Sequence, residues 1–592
     1  MAGQSQGSNP TRLGWLICLS LGLILFGCNY PPRQQPAPAA STPATHHPSE
    51  AVSPTALPPS PTPFLPQQNT PTPPPDYSYW INPAAPAGLL QGLSLPPPLH
   101  PAARREAARF TIDFSAGADS SRPVIKPVSL IYALVAPFPT LVDGVTRDDL
   151  ALAWRGSASG AFKGRPILLD PNTLEVFQSM WGAPGSGAVK VLPAAQLLDT
   201  AWKDQPSWAL VPFDALEPRW KVLAVDGASP LQKSFDPDQY PLTAHLALLG
   251  EPADLARLKS SAQVDLASLV PATNRDPQKM TVVIMTGVTG LVRALAYRME
   301  TKGITYPGEA IAPWLRSGDF THVSNEVSFT SDCPYPQPLS LSLFFCSRES
   351  YLGLLDDVGV NIVELTGNHN LDWGEAAALN TLDLYQQRGW HTFGGGRNLA
   401  DAQKPLLIDH NGNRLAFIGC NLVGPVAAWA TADHPGAAPC GDQAWMIAQV
   451  KQLRSAGYLP IVTFQYSENY TDTASAEEKA DYHAMVDAGA VIVDGSQAHT
   501  PKEMEFYGGS FIHYGLGNLF FDQMEVQVGD SVVTTTRDEF IDRHVFYAGR
   551  YLGLDLLTAR LEDWARPRPM TEPERNAFLK TIFTASGWYN GS

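Results

Sequence analysis

Polar side chains able to bind or activate a small group are concentrated in the stretch Gly359 to Gly374, GVNIVELTGNHNLDWG. Asn368 and His369 follow a short apolar run, and Asp372 comes three positions later. Nitrogen and oxygen donors at this spacing suit a divalent cation with mixed ligands. A simpler interpretation is also open, in which Asn368 and His369 form a polar turn and Asp372 caps the next helix.

The elements around this stretch favour the first interpretation. A strand over Val360 to Leu365, a polar loop and a helix from Glu375 to Arg388 are how α/β enzymes present side chains at the carboxyl edge of a sheet. Further predicted strands also end in polar residues, namely 460–464 before Glu468, 490–493 before His499 and 511–514 before Asn518. This recurrence predicts a sheet with one functional edge.

The whole chain has 592 residues, of which 44% are hydrophobic and 17% charged, and its formal net charge is −16. The length predicts two or more domains. The acidic balance argues against nucleic acid or an anionic lipid as the main partner, because like charges repel. We therefore expect no nucleic-acid partner.

Residues 1–28 resemble a bacterial lipoprotein signal peptide. Arg12 precedes the apolar run Leu13 to Phe26, which is shorter than the ~20 residues that span a bilayer. The run ends in Leu25-Phe26-Gly27-Cys28, similar to a lipobox, which implies cleavage before Cys28 and lipidation of its thiol. An ordinary signal peptide and an uncleaved anchor are the alternatives. All three place the protein body outside the cytoplasm, and the lipobox predicts attachment to the cell membrane.

Residues 29–75 are rich in proline and nearly uncharged, so they predict an extended linker. Residues 76–270 alternate strand and helix signals and predict an amino-terminal α/β domain. Its stretch VDGVTRDDLALAWRG faintly resembles phosphate-type solute-binding domains. This leaves a solute-binding lipoprotein as a third functional hypothesis.

Four cysteines remain after the signal peptide, an even number that suits disulfides in an oxidising compartment. Three pairings are compatible with the sequence. We expect the two short loops, Cys333–Cys346 and Cys420–Cys440.

Between Met280 and Gln523 the chain resembles, in order, the motifs of the CapA-type capsule-synthesis family, poly-γ-glutamate capsule proteins related to calcineurin-like metallophosphatases. The motifs are SNEVSF (Ser324 to Phe329), ELTGNHNLDWG (Glu364 to Gly374), FQYSENY (Phe464 to Tyr470), DGSQAHTP (Asp494 to Pro501) and HYGLGNLFFDQ (His513 to Gln523). The resemblance implies a four-layered α/β/β/α sandwich over residues 275–525, after the smaller α/β domain. Residues 526–592 are then a carboxyl-terminal extension with a helix.

The resemblance also implies a site. Asn368 and His369 match the Asn-His pair of a metallophosphatase, and His499 matches a distal metal-site histidine. The implied cofactor is a divalent ion (manganese, zinc or iron), with one ion or none bound. The implied metal ligands are His369, His499, Asp319 and Glu326. The implied catalytic residues are Asp372, Glu468 and Asn368, and the implied substrate-binding residues are Asn518 and Asn325.

Three departures from the family pattern bear on activity. Val288 stands where the family has a metal-binding Asp, the Gln465-Tyr466 region replaces a histidine, and Ser496 or Gln497 replaces another. A two-metal phosphatase normally needs a bridging carboxylate and several histidines. Two hypotheses follow, a metal-dependent hydrolase of phosphoester-type bonds and a non-catalytic polymer-binding or scaffold protein on a degraded metallophosphatase fold.

For the hydrolase, a metal held by His369 and His499 would activate a water molecule, with Asp372 or Glu468 as general base. Under either hypothesis we expect a lipid-anchored extracytoplasmic protein that helps to make, export or trim an anionic envelope polymer. Its expected partners are that polymer or its synthesis machinery, and the membrane through the lipid anchor.

Overall fold

The computed structural model describes residues 76–85, 93, 95–114 and 122–589. The predicted signal peptide with Cys28, and the proline-rich linker, lie outside the described residues. The described residues belong to one compact unit, Pro74–Ser592. Within them, every helix is too short or too polar to cross a membrane.

The amino-terminal part is a mixed sheet with helices packed on it. The strand order is β2-β1-β3-β10-β4-β8-β6-β7, and β9 joins β4 to β5. The strands are β1 (Ser78–Ile81), β2 (His100–Pro101), β3 (Phe110–Phe114), β4 (Val124–Pro137), β5 (Gly144–Val145), β6 (Ile167–Leu169), β7 (Val189–Val191), β8 (Trp208–Pro212), β9 (Trp220–Val225) and β10 (Thr243–Leu249). The helices are α1 (Arg147–Trp154), α2 (Pro171–Trp181), α3 (Leu197–Lys203), α4 (Pro252–Ala262) and α5 (Leu266–Leu269). Thr146 caps α1, since its side chain accepts from the Asp149 N–H.

The rest of the described chain forms two large sheets, three two-stranded sheets and the helices that cover them. The strands are β11 (Met280–Thr286), β12 (Val288–Thr289), β13 (Phe320–Asn325), β14 (Phe329–Thr330), β15 (Ser347–Arg348), β16 (Ile362–Glu364), β17 (His391–Phe393), β18 (Gly395–Gly396), β19 (Leu406–His410), β20 (Asn413–Asn421), β21 (Gly436–Ala437), β22 (Leu459–Gln465), β23 (Ile492–Ser496), β24 (Met504–Tyr507), β25 (Ser510–His513), β26 (Asn518–Phe520), β27 (Val526–Val528), β28 (Ser531–Val533), β29 (Asp538–Tyr547), β30 (Arg550–Glu562) and β31 (Arg566–Pro569). The helices are α6 (Arg293–Lys302), α7 (Ala312–Leu315), α8 (Leu352–Asp357), α9 (Glu375–Gln387), α10 (Leu399–Ala402), α11 (Ala444–Ser455), α12 (Ala476–Ala488) and α13 (Glu572–Ala585).

These strands build a sandwich. The first sandwich sheet has the order β17-β16-β13-β11-β29-β30-β31, with β12 between β13 and β26. The second sandwich sheet has the order β19-β20-β22-β23-β25-β24. Residues alternate between the two faces of each strand, so Val283 and Met285 point to the layer between the sheets while Val282 and Ile284 join the outer core.

Helices cover both outer faces of the sandwich. Leu295 of α6, Leu354 of α8 and Tyr385 of α9 pack on the outside of the first sandwich sheet. Val450 of α11 and Met485 of α12 pack on the outside of the second. The layers are therefore α/β/β/α, and the predicted fold class is confirmed.

Residues beyond 525, expected to form an extension, supply central strands of the first sandwich sheet. β29 pairs antiparallel with β11 from Met280 opposite Tyr547 to Thr286 opposite Ile541. The helix predicted within residues 526–592 is present as α13, with a capping box formed by Thr571 and Glu574.

Both expected disulfides are formed, Cys333–Cys346 and Cys420–Cys440. The first closes a loop whose Phe345 contacts His369, with ring centroids 4.6 Å apart. The loop between the two cysteines exposes a run of large apolar side chains, Leu339, Leu341, Leu343 and Phe344.

Candidate functional site

Strands of both sandwich sheets end at the same place, which we call the carboxyl edge. β12, β13 and β16 are parallel to one another, and so are β22 and β23. A parallel bridge between Val327 and His369 sets the loops after β13 and β16 side by side. This geometry brings together polar residues that lie far apart in the sequence, as the motif pattern predicts.

His369 is held by its neighbour three residues on. Its Nδ1 lies 2.7 Å from Asp372 Oδ2, and the same carboxylate oxygen accepts from the Phe345 N–H at 2.9 Å. Burial lowers the pKa of His369, but the hydrogen bond to Asp372 and the charge of Glu326 outweigh it, so the pKa is raised overall. Asp372 thus keeps the imidazole oriented and favours its protonated form.

His499 is held in the same manner by an amide. Its Nδ1 lies 2.8 Å from Asn518 Oδ1, while the Asn518 side-chain N–H group donates to the His499 and Thr536 carbonyls at 3.3 and 3.0 Å. The ring of Phe521 stacks on the imidazole, with centroids 4.9 Å apart. Asn518 therefore positions His499, and its substrate-binding role stays a prediction.

Glu326 is the most unusual residue at the carboxyl edge. Its side chain is 1% exposed, and both carboxylate oxygens lack a hydrogen-bond partner. Burial raises its pKa, against the opposing charges of His499 and His369. Glu326 is thus a buried carboxyl group near both imidazoles, with its pKa raised by burial.

Amide side chains occupy the places of the missing histidines. The Gln465 side-chain N–H group donates to Asn368 Oδ1 at 3.2 Å and also to Gln497 Oε1. Ser496 Oγ donates to Gln465 Oε1 at 2.7 Å. Asn368 is therefore tied into a hydrogen-bonded network of neutral groups across the two sheets.

Val288 is fully buried in a small apolar cluster with Val292, Val327, Phe345 and Phe521. Its strand places it beside Ser324 and Asn518, at the floor of the site. The position where the family has a metal-binding carboxylate is thus part of a hydrophobic core.

Arg293 is a site residue that the sequence analysis missed. Its guanidinium lies 5.0 Å from the ring centroid of Phe345 and 5.4 Å from that of Phe521, the aromatic rings that contact the two histidines. It also pairs with Asp522 at 2.5 Å. The sequence could have indicated Arg293 through its position at the start of a helix that follows the Gly-Val-Thr-Gly turn.

The predicted role of Asp319 as a metal ligand beside Glu326 is wrong, because Asp319 does not lie at the carboxyl edge. It precedes the first residue of β13, whereas Glu326 follows the last, and seven residues of extended chain span about 20 Å. One carboxylate oxygen pairs with Lys233 at 2.5 Å and the other accepts from the Val282 N–H at 2.8 Å. Asp319 cannot share a metal ion with Glu326.

The remaining predicted residues lie near the edge in different roles. Asn325 is fully buried and its N–H group donates to the Val327 carbonyl and the Tyr385 hydroxyl, at 2.7 and 3.0 Å. Glu468 is exposed and accepts from the Tyr470 hydroxyl. Substrate binding by Asn325 and catalysis by Glu468 stay predictions.

The donor set does not fit a metal ion at this edge. Among the described residues, His369, His499 and Glu326 do not form a group whose ligand atoms all lie within 4.8 Å of one another. Val288 offers no ligand, and Gln465 with Gln497 or Ser496 stands at the positions of the missing histidines. The donors described at this edge therefore do not converge on one ion.

Comparison with known proteins supports the family. Residues 282–523 match the family model described as bacterial capsule synthesis protein PGA_cap. The chain is 24% identical over 308 residues to the capsule biosynthesis protein CapA of Bacillus anthracis, covering 51% of this chain and 72% of that protein. It is 26% identical over 235 residues to the PGA biosynthesis protein CapA of Bacillus subtilis, covering 40% and 61%.

Solved structures give distant likenesses. A putative 5′-nucleotidase from Staphylococcus aureus aligns with 50% of this chain and 58% of its own, at 12% identity and a TM-score of 0.31. A phosphate transport receptor from Vibrio cholerae aligns with 33% of this chain and 96% of its own, at 11% identity and a TM-score of 0.28. The ordered motifs and the match over residues 282–523 show that this segment is similar to the CapA-type bacterial capsule synthesis proteins.

Proposed function

We propose that this protein is an accessory protein in the synthesis of an anionic capsule polymer such as poly-γ-glutamate, and that its carboxyl edge binds the polymer without a metal ion. The capsule role rests on the family match and on the names of the Bacillus relatives. Of the two functional hypotheses, this is the non-catalytic one.

The non-catalytic hypothesis rests on the contacts made at the positions where this chain differs from the family pattern. Gln465, Gln497 and Ser496 are satisfied by one another and by Asn368, and Val288 is packed among apolar side chains. The residues at these positions are buried and neutral, and their hydrogen bonds are made within the protein, so they do not supply the ligands that two metal ions need to hold the attacking and leaving oxygens.

Two side chains at the rim can donate to an anion while each also pairs with one carboxylate of the protein, His369 with Asp372 and Arg293 with Asp522. The His369 side chain is 20% exposed and the Arg293 side chain 21% exposed. A guanidinium and a protonated imidazole are charge-assisted donors to carboxylates. Because the chain as a whole has a net charge of −16, binding of an anionic polymer must depend on these local groups and weaken as salt screens them.

The location of the protein is part of the proposal. The lipobox-like residues around Cys28 suggest a lipid anchor in the cell membrane, and the linker would let the folded unit reach the polymer outside the cytoplasm. The two disulfides support this location, because such bonds persist in oxidising compartments.

The test is binding of fluorescent poly-γ-glutamate to the full chain in detergent, measured by anisotropy with a chelator present. We expect His369→Ala and Arg293→Gln each to weaken binding about tenfold, since a lost charged hydrogen bond contributes ~1.5 kcal/mol. The control is Lys451→Gln, which removes an exposed cation on α11, outside the site.

Parallel samples with manganese or zinc are assayed for shortening of the polymer and for phosphoester hydrolysis. Metal-dependent turnover that is lost in His369→Ala would overturn the proposal in favour of the hydrolase. Equal binding by all four proteins would contradict the proposed site.

A further inference from the structure

A second group of polar side chains lies inside the sandwich, in the layer between the two sheets. Asp494 comes from β23 of the second sandwich sheet, and Asp542 and His544 come from β29 of the first. We call these three residues the inter-sheet cluster. The three side chains are at most 2% exposed.

Their donor atoms converge. One ligand atom from each of Asp494, Asp542 and His544 can be chosen so that all lie within 4.8 Å of one another. His544 Nε2 lies 3.9 Å from Asp494 Oδ2, which is too long for a hydrogen bond. Among the described residues this is the His, Cys, Asp and Glu group that meets the distance.

Four polar atoms of the cluster have no hydrogen-bond partner. They are both carboxylate oxygens of Asp494, Oδ1 of Asp542 and Nε2 of His544. Each buried polar group without a hydrogen-bond partner destabilises the folded protein. Buried charges are ordinarily paired with an opposite charge or bound to a metal ion. Apolar rings lie beside the cluster, since Phe511 contacts His544 and Phe540 contacts His513, the partner of Asp542.

The atoms that do have partners are oriented as outer-shell contacts orient metal ligands. His544 Nδ1 lies 2.9 Å from the Tyr551 hydroxyl, and a proton on Nδ1 leaves the Nε2 lone pair directed at the aspartates. Asp542 Oδ2 lies 2.7 Å from His513 Nδ1, which leaves Oδ1 for the cluster. Metal-binding imidazoles and carboxylates are typically fixed in this manner.

We propose that Asp494, Asp542 and His544 bind one divalent first-row transition-metal ion, with zinc and manganese the ions that their donor types favour, and that this ion joins the two sheets of the sandwich. Two carboxylates and one neutral imidazole balance a 2+ charge and leave positions for water or a further donor. The site is separate from the carboxyl edge, because it uses none of the residues there.

The test is elemental mass spectrometry of the full chain purified in detergent and exposed to zinc or manganese. We expect about one ion per chain in the unsubstituted protein and in the carboxyl-edge double variant His369→Ala/His499→Ala. We expect less than one fifth of that in Asp494→Asn and in His544→Gln, with circular dichroism confirming that each variant is folded.

Cobalt substitution gives a second readout. The unsubstituted protein is expected to show visible absorption bands of cobalt bound by nitrogen and oxygen donors, and His544→Gln to lose or shift them. Should the inter-sheet variants not fold, the edge double variant still decides, since an ion retained there supports the inter-sheet site.

Three results would overturn the inference: a folded unsubstituted protein without metal, an ion that Asp494→Asn and His544→Gln retain, or an ion that is lost only from the edge double variant. The last result would also contradict the metal-free carboxyl edge, whereas the first two would leave that proposal intact.

Discussion

His369 and His499 are both fixed through Nδ1, one by Asp372 and the other by Asn518. The two partners differ in charge, so the two imidazoles differ in chemistry. Asp372 favours a protonated His369, while the neutral amide of Asn518 supplies no such charge. At the scale of residues, the carboxyl edge is therefore asymmetric, with its cationic side at His369 and Arg293.

The first prediction concerns Asp372→Asn. The hydrogen bond and charge of Asp372 raise the pKa of His369, so their removal is expected to lower that pKa. The measurement is an NMR titration of the His369 ring signals, with Glu375→Gln as a control because Glu375 pairs with His434 instead. An unchanged His369 pKa in Asp372→Asn would contradict the assignment.

The second prediction concerns Val288. Replacing it with Asp puts a carboxylate among Val292, Val327, Phe345 and Phe521. We expect Val288→Asp to lower the free energy of unfolding by at least ~3 kcal/mol at neutral pH, because a buried charge without a partner is costly.

Val288→Asn has nearly the same shape without the charge, so the difference between the two variants in urea unfolding isolates the charge. If Val288→Asp were as stable as the unsubstituted protein, the apolar character assigned to the floor of the site would be mistaken.

At the scale of elements, β9 of the amino-terminal part meets β30 and α13 of the sandwich around a cavity of about 300 Å³. Lys221 of β9 pairs there with Asp143 at 2.7 Å, and Asp143 also pairs with Arg575 of α13 at 2.9 Å. Burial lowers the pKa of Lys221 to about 8 from 10.5. The contact between the amino-terminal part and the sandwich therefore contains a largely buried lysine, Lys221, that can titrate near neutral pH.

The third prediction is a pH dependence from Lys221. Between pH 8 and 10.5 the unfolded chain binds a proton at this lysine more readily than the folded chain. Stability from this group therefore rises with pH across that window, by at most ~1.4 kcal/mol per pH unit.

Lys221→Met is expected to remove the part of the pH dependence of the unfolding free energy that Lys221 causes. Lys451→Met, at an exposed position, is expected to leave that pH dependence unchanged. Urea unfolding between pH 7.5 and 10.5 measures it. The same slope in Lys221→Met and the unsubstituted protein would show that Lys221 does not titrate in this range.

The family resemblance implied the sandwich, and the apolar strand before each polar motif predicted a sheet with one functional edge. The missed elements have a physical reason. β29 carries Asp542 and His544 on its inner face, so its pattern does not show the apolar alternation of a buried strand. Asp319 was misplaced because a motif gives residue order, whereas the start of β13 decides at which end of the strand the side chain lies.

At the scale of the whole molecule, the two predicted domains share one core. A single cluster of buried residues includes Leu134 and Trp208 of the amino-terminal sheet and Val282, Leu295 and Val323 of the sandwich. β30 and α13 close the chain against both parts. Side chains from both sides of residue 270, the predicted domain boundary, therefore pack in the same core.

The fourth prediction is cooperative unfolding. Because the core is continuous, we expect the full chain in detergent to lose helical circular dichroism and tryptophan fluorescence in one coincident urea transition. Two separated transitions would show that the amino-terminal part and the sandwich unfold independently.

The fifth prediction concerns a chain that ends at residue 525. It lacks β29, the strand that pairs with β11 along seven residues, and is expected not to reach the native fold. Near-ultraviolet circular dichroism measures this. A chain ending at residue 589 is the control, and native-like tertiary signal from the shorter chain would make the carboxyl-terminal strands dispensable.

The central claim is that the carboxyl edge binds an anionic polymer without a metal ion. The most direct measurement is the anisotropy of fluorescent poly-γ-glutamate titrated with the full chain in detergent, with and without chelator, at low and high salt. We expect binding that is unaffected by the chelator, falls with salt, and weakens about tenfold in Arg293→Gln but not in Lys451→Gln. Binding that disappears with the chelator and returns with manganese or zinc would contradict it.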